Sequence, residues 1–532
     1  MVLFAAATAA EIAPAAPKPR QRTPYARGAA LARAGKLPEA LAELEKAAKL
    51  EPRNPKVHNL SGVVLSQLGR LNEANEAYNR ALALAPDFYP ARKNRASNAF
   101  LLREFQFAAA EFAVLARLRP KDHVPRLFLG LLAIEDKDFQ RARKHLLQAR
   151  RLAPTDSRVL LAVVRVHFVL GERQAALEAA RELRAKPCAS SAERFDLGVL
   201  LGSFGANAVA AQVFQGLWQE KPGAYDIGFN LALFQYRAGQ TEAAFRTVEE
   251  LLYRGHGLAE LWNLRGWICH HLRRQEQAIA SLQRAIAMEP AASEHYLDLS
   301  TVLLDVGDLD SAGRVIAEGI EKSTEKDGLF VQMGLLHRRQ NDLRQAEDRF
   351  RKALETNPAN EAAYLALAHL LLVMEREREG FALMETALER LHSSALLHYV
   401  YGALLMETAT PEDMDRQEKA RLVLEKALAL NPLFANTHYR LARIYLVRGE
   451  EDKALRNLEA ASSLNPKHTK ALYQLSQILA RRGDRRRAAE LSRALRQLLA
   501  EKYRSSHEDF SAVVRESLRR SEGAGSFGGP EQ

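Results

Sequence analysis

PEALAELEKAAKLEP at residues 38–52 returns, in altered form, as NEANEAYNRALALAP at residues 72–86. The two stretches lie 34 residues apart, and both end in proline. One alanine recurs at this spacing until Gly380 takes its place, and the series resumes after a single slip of six residues. Such a period indicates a chain built from stacked copies of one supersecondary unit. The recurring alanines are Ala40, Ala74, Ala108, Ala142, Ala176, Ala210, Ala244, Ala278, Ala312, Ala346, Ala420, Ala454 and Ala488.

A second series of small residues lies twelve residues before these alanines, as at Gly62, Gly130 and Gly266. Two antiparallel helices approach closely only where bulky side chains are absent, so the two series predict a helix A packed against a helix B. Many units place glycine at the turn between the helices, where positive φ is needed, and many end in proline, which stops helix B. The glycines are Gly35, Gly69, Gly171, Gly205, Gly239, Gly307, Gly449 and Gly483, and the prolines are Pro52, Pro86, Pro120, Pro154, Pro222, Pro290, Pro358, Pro432 and Pro466.

Fourteen such units fit the chain, beginning near residues 21, 55, 89, 123, 157, 191, 225, 259, 293, 327, 361, 395, 435 and 469. The phrase WNLRG at residues 262–266, and the series Ala346, Phe350, Ala353 and Pro358, make the pattern resemble the tetratricopeptide repeat family. The resemblance implies an all-α fold, a right-handed α-solenoid or superhelix of helix-turn-helix repeats. It also implies a concave groove lined by the A helices.

The repeat divides the sequence into an array and its flanks. Residues 1–20 form an Ala/Pro-rich flexible segment or the remnant of a signal peptide, and residues 21–502 form the array. We place a six-residue insertion in the stretch 408–417, between the two helices of the unit that begins at 395. Apolar residues recur at helical spacing after 503, which predicts a C-terminal capping helix over 503–522 and a disordered tail over 523–532.

Composition excludes several classes of protein. The 532 residues are 47% hydrophobic and 27% charged, with a formal net charge of +11, which excludes a wholly disordered or collagen-like chain. Two cysteines, Cys188 and Cys269, supply neither a disulfide framework nor a cysteine-based zinc site. Zincin, nucleophile-elbow, phosphate-loop and dinucleotide motifs are absent from the sequence. We therefore expect no catalytic activity, no cofactor and no metal.

The N-terminal stretch decides the expected location of the protein. Residues 2–10 are apolar, but no Lys or Arg precedes them and the run is short for a signal peptide. We expect a cytoplasmic protein; the alternative is export to the periplasm, if residues 1–10 are the end of a signal peptide. No later run approaches the length of a membrane-spanning helix, so no transmembrane segment is expected.

In the tetratricopeptide family, ligands contact fixed positions of helix A, and the resemblance places ten residues of the middle units on the groove wall. Aromatic rings with interspersed amides suit an extended peptide or a helix. An error of one residue in helix phase would instead turn these side chains into core. The Lys–Asn pair of the chaperone-binding members and the asparagine ladder of the sugar-transferring members are both missing. The ten residues are Phe128, Leu131, Phe168, Phe195, Phe229, Asn230, Tyr236, Asn263, Trp267 and His270.

The C-terminal unit is strongly basic. Residues 481–504 hold nine basic and three acidic side chains, and the predicted basic patch comprises Arg481, Arg482, Arg485, Arg486 and Arg487. Such a patch suits phosphate-rich partners, but it lacks the interleaved aromatic residues of single-strand binders, so nucleic acid is not the expected partner.

The sequence thus predicts a non-catalytic scaffold that binds a protein or peptide ligand in the concave groove of the superhelix. Two alternatives stay open. The array could dock or regulate a separate transferase, or the basic C-terminal unit could tether the chain to an envelope or to nucleic acid. The sequence indicates neither the identity of the partner nor the oligomeric state.

Overall fold

The computed structural model describes residues 23–185, 190–410 and 413–502. This part of the chain forms 28 α-helices and no strand, which confirms the predicted all-α solenoid class. The signal remnant, the capping helix over 503–522, the tail over 523–532 and Cys188 lie outside the described residues. The chain divides into two compact units, Met1–Glu220 and Lys221–Gln532.

The first unit contains helices α1 to α12. Their bounds are α1 Pro24–Arg33, α2 Leu37–Leu50, α3 Pro55–Gln67, α4 Leu71–Leu84, α5 Tyr89–Leu101, α6 Phe105–Leu118, α7 His123–Glu135, α8 Phe139–Leu152, α9 Ser157–Val169, α10 Arg173–Ala185, α11 Ser191–Ser203 and α12 Asn207–Glu220.

The second unit contains helices α13 to α28. Their bounds are α13 Tyr225–Arg237, α14 Thr241–Tyr253, α15 Ala259–His271, α16 Gln275–Met288, α17 Ser293–Val306, α18 Leu309–Lys322, α19 Asp327–Arg339, α20 Leu343–Thr356, α21 Glu361–Val373, α22 Glu377–Arg390, α23 Ala395–Thr408, α24 Met414–Leu430, α25 Ala435–Val447, α26 Glu451–Leu464, α27 Thr469–Arg481 and α28 Arg485–Lys502.

Odd-numbered helices are the A helices and even-numbered helices are the B helices. From α3 onward, every A helix begins at the residue number at which the repeat places a new unit. Each A helix packs against the B helix that follows it. Within each of the two compact units, each B helix also contacts the A helix of the next repeat. Each hairpin therefore buries its apolar side on its neighbours, as a solenoid requires.

The small residue of helix A lies directly against helix B. A Cβ atom added to Gly266 would lie 2.5 Å from Leu282 Cγ and 3.3 Å from the carbonyl oxygen of Ala278. Ala278 is fully buried. The two small-residue series are thus the two sides of one close helix–helix contact, which small side chains permit.

The turn between helices has the same backbone conformation whether or not glycine occupies it. All eight turn glycines that the sequence analysis singled out have positive φ. Five other units place a different residue at the equivalent position, also with positive φ: Arg103, Lys137, Arg273, Asn341 and Glu375. Because side chains with a Cβ adopt this conformation at a cost, the hairpin geometry imposes the turn on these residues.

The unit that begins at 395 accommodates its extra residues partly within a helix. Helix α24 has 17 residues, whereas most B helices have 14, and it begins at Met414. The stretch 408–417, expected between the helices, therefore includes the first turn of α24. Arg416 in that turn contacts Glu377 of α22 at 2.6 Å and the carbonyl oxygen of Thr408 at 3.2 Å. These contacts hold the longer helix on its neighbour.

The A helices form the inner face of each unit. Successive A helices, such as α13 and α15 or α17 and α19, contact one another more closely than successive B helices do. Elements on the inside of a curved stack lie closer together than those on the outside, so the A helices are the inner row and the B helices the outer row.

Candidate protein-binding face

Only some of the residues that the sequence places on the groove wall are accessible. The side chains of Phe195, Phe229, Asn230 and His270 are partly exposed. The expectation of an accessible wall is wrong for the other six, which are buried in the fold. These are Phe128, Leu131, Phe168, Tyr236, Asn263 and Trp267, with exposed fractions between 0% and 7%.

The neighbouring A helix causes this burial. Tyr236 of α13 is fully buried, and its hydroxyl group hydrogen-bonds to Nδ1 of His271, on α15, at 2.8 Å. In the first unit, the Phe128 ring of α7 packs edge-on against Phe100 of the preceding A helix α5, at 5.3 Å between centroids. Positions that would line an open groove on a single hairpin thus fill the seam between two successive hairpins, where they form the floor of the inner face.

Hydrogen bonds join successive A helices across this floor. Tyr225 of α13 donates to Glu260 of α15 at 2.6 Å. Asn263 of α15 donates to Asp298 of α17 at 2.8 Å, and Asn263 is 1% exposed. Donor and acceptor stand 35 residues apart in both pairs, one repeat plus one residue. The bonds thus join α13 to α15 and α15 to α17 on the inner face.

Aromatic side chains cluster at the start of α13. The ring of Tyr225 lies 5.7 Å from that of Phe229 and 5.4 Å from that of His256, between centroids. All three side chains are partly exposed. Burial and the adjacent Glu260 carboxylate raise the pKa of Tyr225, so its hydroxyl stays protonated and remains a donor at neutral pH. This aromatic cluster, Tyr225, Phe229 and His256, is an apolar surface beside fixed polar groups.

His270 forms the polar end of the same face. Its Nε2 atom lies 3.5 Å from the carboxylate of Asp305 on α17, and its Nδ1 atom lies 3.0 Å from Gln275 Oε1. The hydrogen bond to Asp305 raises the pKa of His270 above its usual value, and burial opposes this effect. The neighbouring His271 points to Tyr236 and the carbonyl oxygen of Trp267 instead.

Three carboxylates on this face were not predicted from the sequence. Glu260, Asp298 and Asp305 each accept a bond or ion pair from the preceding A helix. Single acidic residues on a helix look like ordinary solvent-facing positions. The available signal was their spacing, because each stands 35 residues after a Tyr, Asn or His of the preceding A helix.

The basic patch of the C-terminal unit lies at the surface, and carboxylates engage much of it. Arg482 contacts Glu451 at 2.8 Å and Asp452 at 2.7 Å. Arg487 contacts Glu459 at 2.9 Å, and Arg486 contacts Glu490 at 3.3 Å. Arg481 and Arg485 complete the patch, and both are exposed.

Two further observations concern metal binding and membranes. Among the described residues, no three His, Cys, Asp or Glu side chains converge as metal ligands, and Cys269 is fully buried. Burial raises the pKa of the Cys269 thiol, which suits a structural side chain. In the same part of the chain, none of the helices combines the length and apolarity needed to cross a bilayer.

Sequence profiles described as tetratricopeptide repeat match residues 25–87, 259–291 and 287–514, together more than half of the chain. The anaphase-promoting complex subunit CDC16 of Saccharomyces cerevisiae is 22% identical over 193 residues, which are 35% of this chain and 23% of CDC16. The chain thus spans about a quarter of the length of that relative.

Solved structures with a similar course of the chain include yeast Tom70, at 16% identity and a TM-score of 0.43, covering 91% of this chain and 98% of Tom70. A structure of MamA covers 32% of this chain and 97% of its own, at 22% identity and a TM-score of 0.28. The architecture of stacked helical hairpins is in general that of a protein-interaction scaffold. The chain belongs to the tetratricopeptide repeat family.

Proposed function

We propose that the protein is a non-catalytic scaffold and that the inner face of helices α13, α15 and α17 binds a segment of a partner protein. The observation that carries the proposal is the layered arrangement of this face. Partly exposed Phe229, Asn230 and His270 lie on the same inner row as buried Asn263 and Trp267, and the His270 ring lies 5.9 Å from that of Trp267 between centroids. The floor is tied across neighbouring A helices by hydrogen bonds, so the partly exposed groups keep their places.

Fixed side chains favour binding because little conformational entropy is lost when a ligand arrives. Aromatic rings on such a surface give large contact area at low entropic cost. The aromatic cluster offers this area, and the exposed carboxylate of Asp305, which is already paired with His270, places negative charge on this face near α17. We propose that the bound segment places an apolar side chain on the aromatic cluster and a donor group near α17.

The proposal is tested with peptides selected on the full chain from a random display library. Phe229→Ala removes the central ring of the aromatic cluster, and Tyr253→Ala is the matched control. Tyr253 ends the B helix α14, on the outer row, and is 93% exposed. Phe229→Ala should weaken the selected peptides at least about tenfold, the effect of losing one well-packed aromatic contact. Tyr253→Ala should leave their affinity unchanged.

Hydrogen exchange on the same complexes provides a second test. A bound peptide should slow amide exchange in α13, α15 and α17 more than in the B helices α14 and α16. Peptides whose affinity depends on Tyr253, or which protect only the B helices, would contradict the proposal by placing the ligand on the outer row.

A further inference from the structure

Helix α8, on the outer row of the first unit, carries only positive charge. Its residues 139–152 include five Lys or Arg and no Asp or Glu. Ala142, Leu146 and Ala149 form its buried stripe, and the exposed side chains of Arg141, Lys144 and Arg151 lie on the opposite side. Their spacing of three and seven residues places them on one stripe about 15 Å long, at a rise of 1.5 Å per residue.

A comparison with the preceding repeat shows that a counter-charge is missing from this hairpin. In that repeat, Glu111 of α6 contacts Arg92 and Arg95 of α5, at 3.1 and 3.4 Å. The position equivalent to Glu111 is His145 in α8, and the position equivalent to Arg92 is Arg126 in α7. A histidine therefore stands where the preceding hairpin has the carboxylate that balances its arginines.

The surroundings of His145 reflect this excess of positive charge. Burial lowers the pKa of His145, and the nearby charges of Arg126, Arg141 and Lys144 lower it further. Its Nδ1 atom is buried and has no hydrogen-bond partner in the described part of the chain, and the same holds for Gln148 Oε1, one turn further along α8. An anion beside these cations would raise the pKa of His145.

Carboxylates on the neighbouring elements limit the width of the positive stripe. On one side, Glu172 accepts Arg143, and Glu182 of α10 contacts Arg150 at 2.5 Å. Glu178 of α10 is also exposed there. On the other side lies Glu111 of α6, paired as described above. Exposed Asp136 and Asp138 lie just before the N-terminus of α8, so the unbalanced charge begins at Arg141 and is about one helix wide, roughly 10 Å.

We infer that the outer stripe of α8, formed by Arg141, Lys144 and Arg151 and extended by Arg126, is a second docking surface that binds a segment of another protein rich in Asp and Glu. A single acidic strand or helix matches a stripe 10 Å wide and 15 Å long. A bilayer or a nucleic-acid duplex would bring its negative charge against Glu178 and Glu182 on the flank. Arg141, Lys144 and Arg151 lie on the outer row of the first unit and Arg126 lies on the adjoining A helix α7; none of the four belongs to the inner-face site.

The test uses the full chain and a fluorescent peptide of eight glutamates, with binding measured by anisotropy at roughly 50 mM salt, where charge screening is moderate. The triple variant Arg141→Glu, Lys144→Glu, Arg151→Glu should weaken binding at least about tenfold. The matched control, Arg481→Glu, Arg485→Glu, Arg486→Glu, makes the same change in net charge in the basic patch. It should change the affinity less than about threefold.

A second variant guards against a folding defect. Arg141→Gln, Lys144→Gln, Arg151→Gln keeps polar side chains on the exposed side of α8, and it should weaken the glutamate peptide in the same direction with helical circular dichroism unchanged. Equal losses in the α8 and control variants would overturn the inference. The inference would also be overturned if the α8 substitutions left the affinity for the glutamate peptide unchanged but weakened binding of a DNA oligonucleotide or of a vesicle of anionic lipid.

Discussion

Asn263 donates a hydrogen bond of 2.8 Å to Asp298, which lies on the next A helix and stands 35 residues further along the chain. The same amide nitrogen also lies 3.0 Å from Nδ1 of His295. Asn263 is 1% exposed. One buried amide thus joins two repeats, and the stability of their junction depends on it.

Asn263→Ala should therefore lower the free energy of unfolding by about 1–3 kcal/mol, the cost of leaving buried His295 and partly buried Asp298 without this donor. Asn230→Ala is the matched control, because the amide of Asn230 is partly exposed and bonds within its own helix, to the carbonyl oxygen of Asp226 at 2.8 Å. Its effect should stay within about 0.5 kcal/mol. Guanidinium unfolding measures both, and equal losses would show that the bond between helices contributes nothing.

Close packing of helix A on helix B predicts opposite effects for two glycine substitutions. Gly266→Ala should destabilise the chain by about 1–3 kcal/mol, because the new Cβ would lie 2.5 Å from Leu282 Cγ. Gly216→Ala, inside α12, meets no atom within 4 Å and should stabilise the chain by about 0.5–1 kcal/mol through helix propensity. Calorimetry of the two variants decides the matter, and a stabilising Gly266→Ala would show that the slot tolerates a methyl group.

The left-handed turns predict that substitution by glycine raises the stability of the fold at turn positions where another residue has positive φ. Lys137 has a φ of 59°, and Lys137→Gly should gain about 0.5–1 kcal/mol by relieving this strain. Asn341 has a φ of 62°, and Asn341→Gly should change little, since asparagine tolerates the left-handed region. Denaturant midpoints compare the two variants; a loss of stability in Lys137→Gly would mean that the lysine side chain contributes more than its backbone costs.

The helices could be predicted from the repeat because its small residues and turn positions reflect contacts within one hairpin. Gly266, Ala278 and the turn at Arg273 all lie within a single unit, where sequence spacing fixes spatial distance. The period also places Arg273 at the turn although it is not glycine, so phase alone identifies its conformation.

The inner face was less predictable because it depends on the contacts between units. Helix phase places Trp267 and Phe229 alike on the inner row, yet Trp267 is 3% exposed and Phe229 remains partly exposed. The difference arises from the side chains of the next A helix, and from how closely the two helices approach. The phase of a single helix determines neither of these, so the exposure of Trp267 and Phe229 could not be predicted from the sequence.

This difference in burial gives a further prediction. Trp267→Ala should cost about 3–5 kcal/mol of stability, since it empties a buried site between repeats. Phe229→Ala removes a partly exposed ring and should cost about 1 kcal/mol, while it weakens bound peptides as argued above. Thermal unfolding followed by circular dichroism measures both variants. A Trp267→Ala protein with an unchanged melting temperature would place the indole at the surface instead.

The pair formed by His270 and Asp305 predicts a dependence of stability on pH. The hydrogen bond to Asp305 raises the pKa of His270 above 6.5, against burial and the nearby charge of Arg273, so the folded state binds the proton more tightly than the unfolded state. The resulting stabilisation is complete below the pKa of His270 in the unfolded chain, about 6.5, and is lost as pH rises through its higher pKa in the folded chain.

Asp305→Asn should lower the pKa of His270, which NMR reads from its ring proton. The loss of stability with rising pH should then disappear. Asp310→Asn is the control, because Asp310 is exposed at the start of α18 and should leave the titration of His270 unchanged. An Asp305→Asn protein in which His270 titrates as in the wild type would show that the carboxylate does not hold the proton.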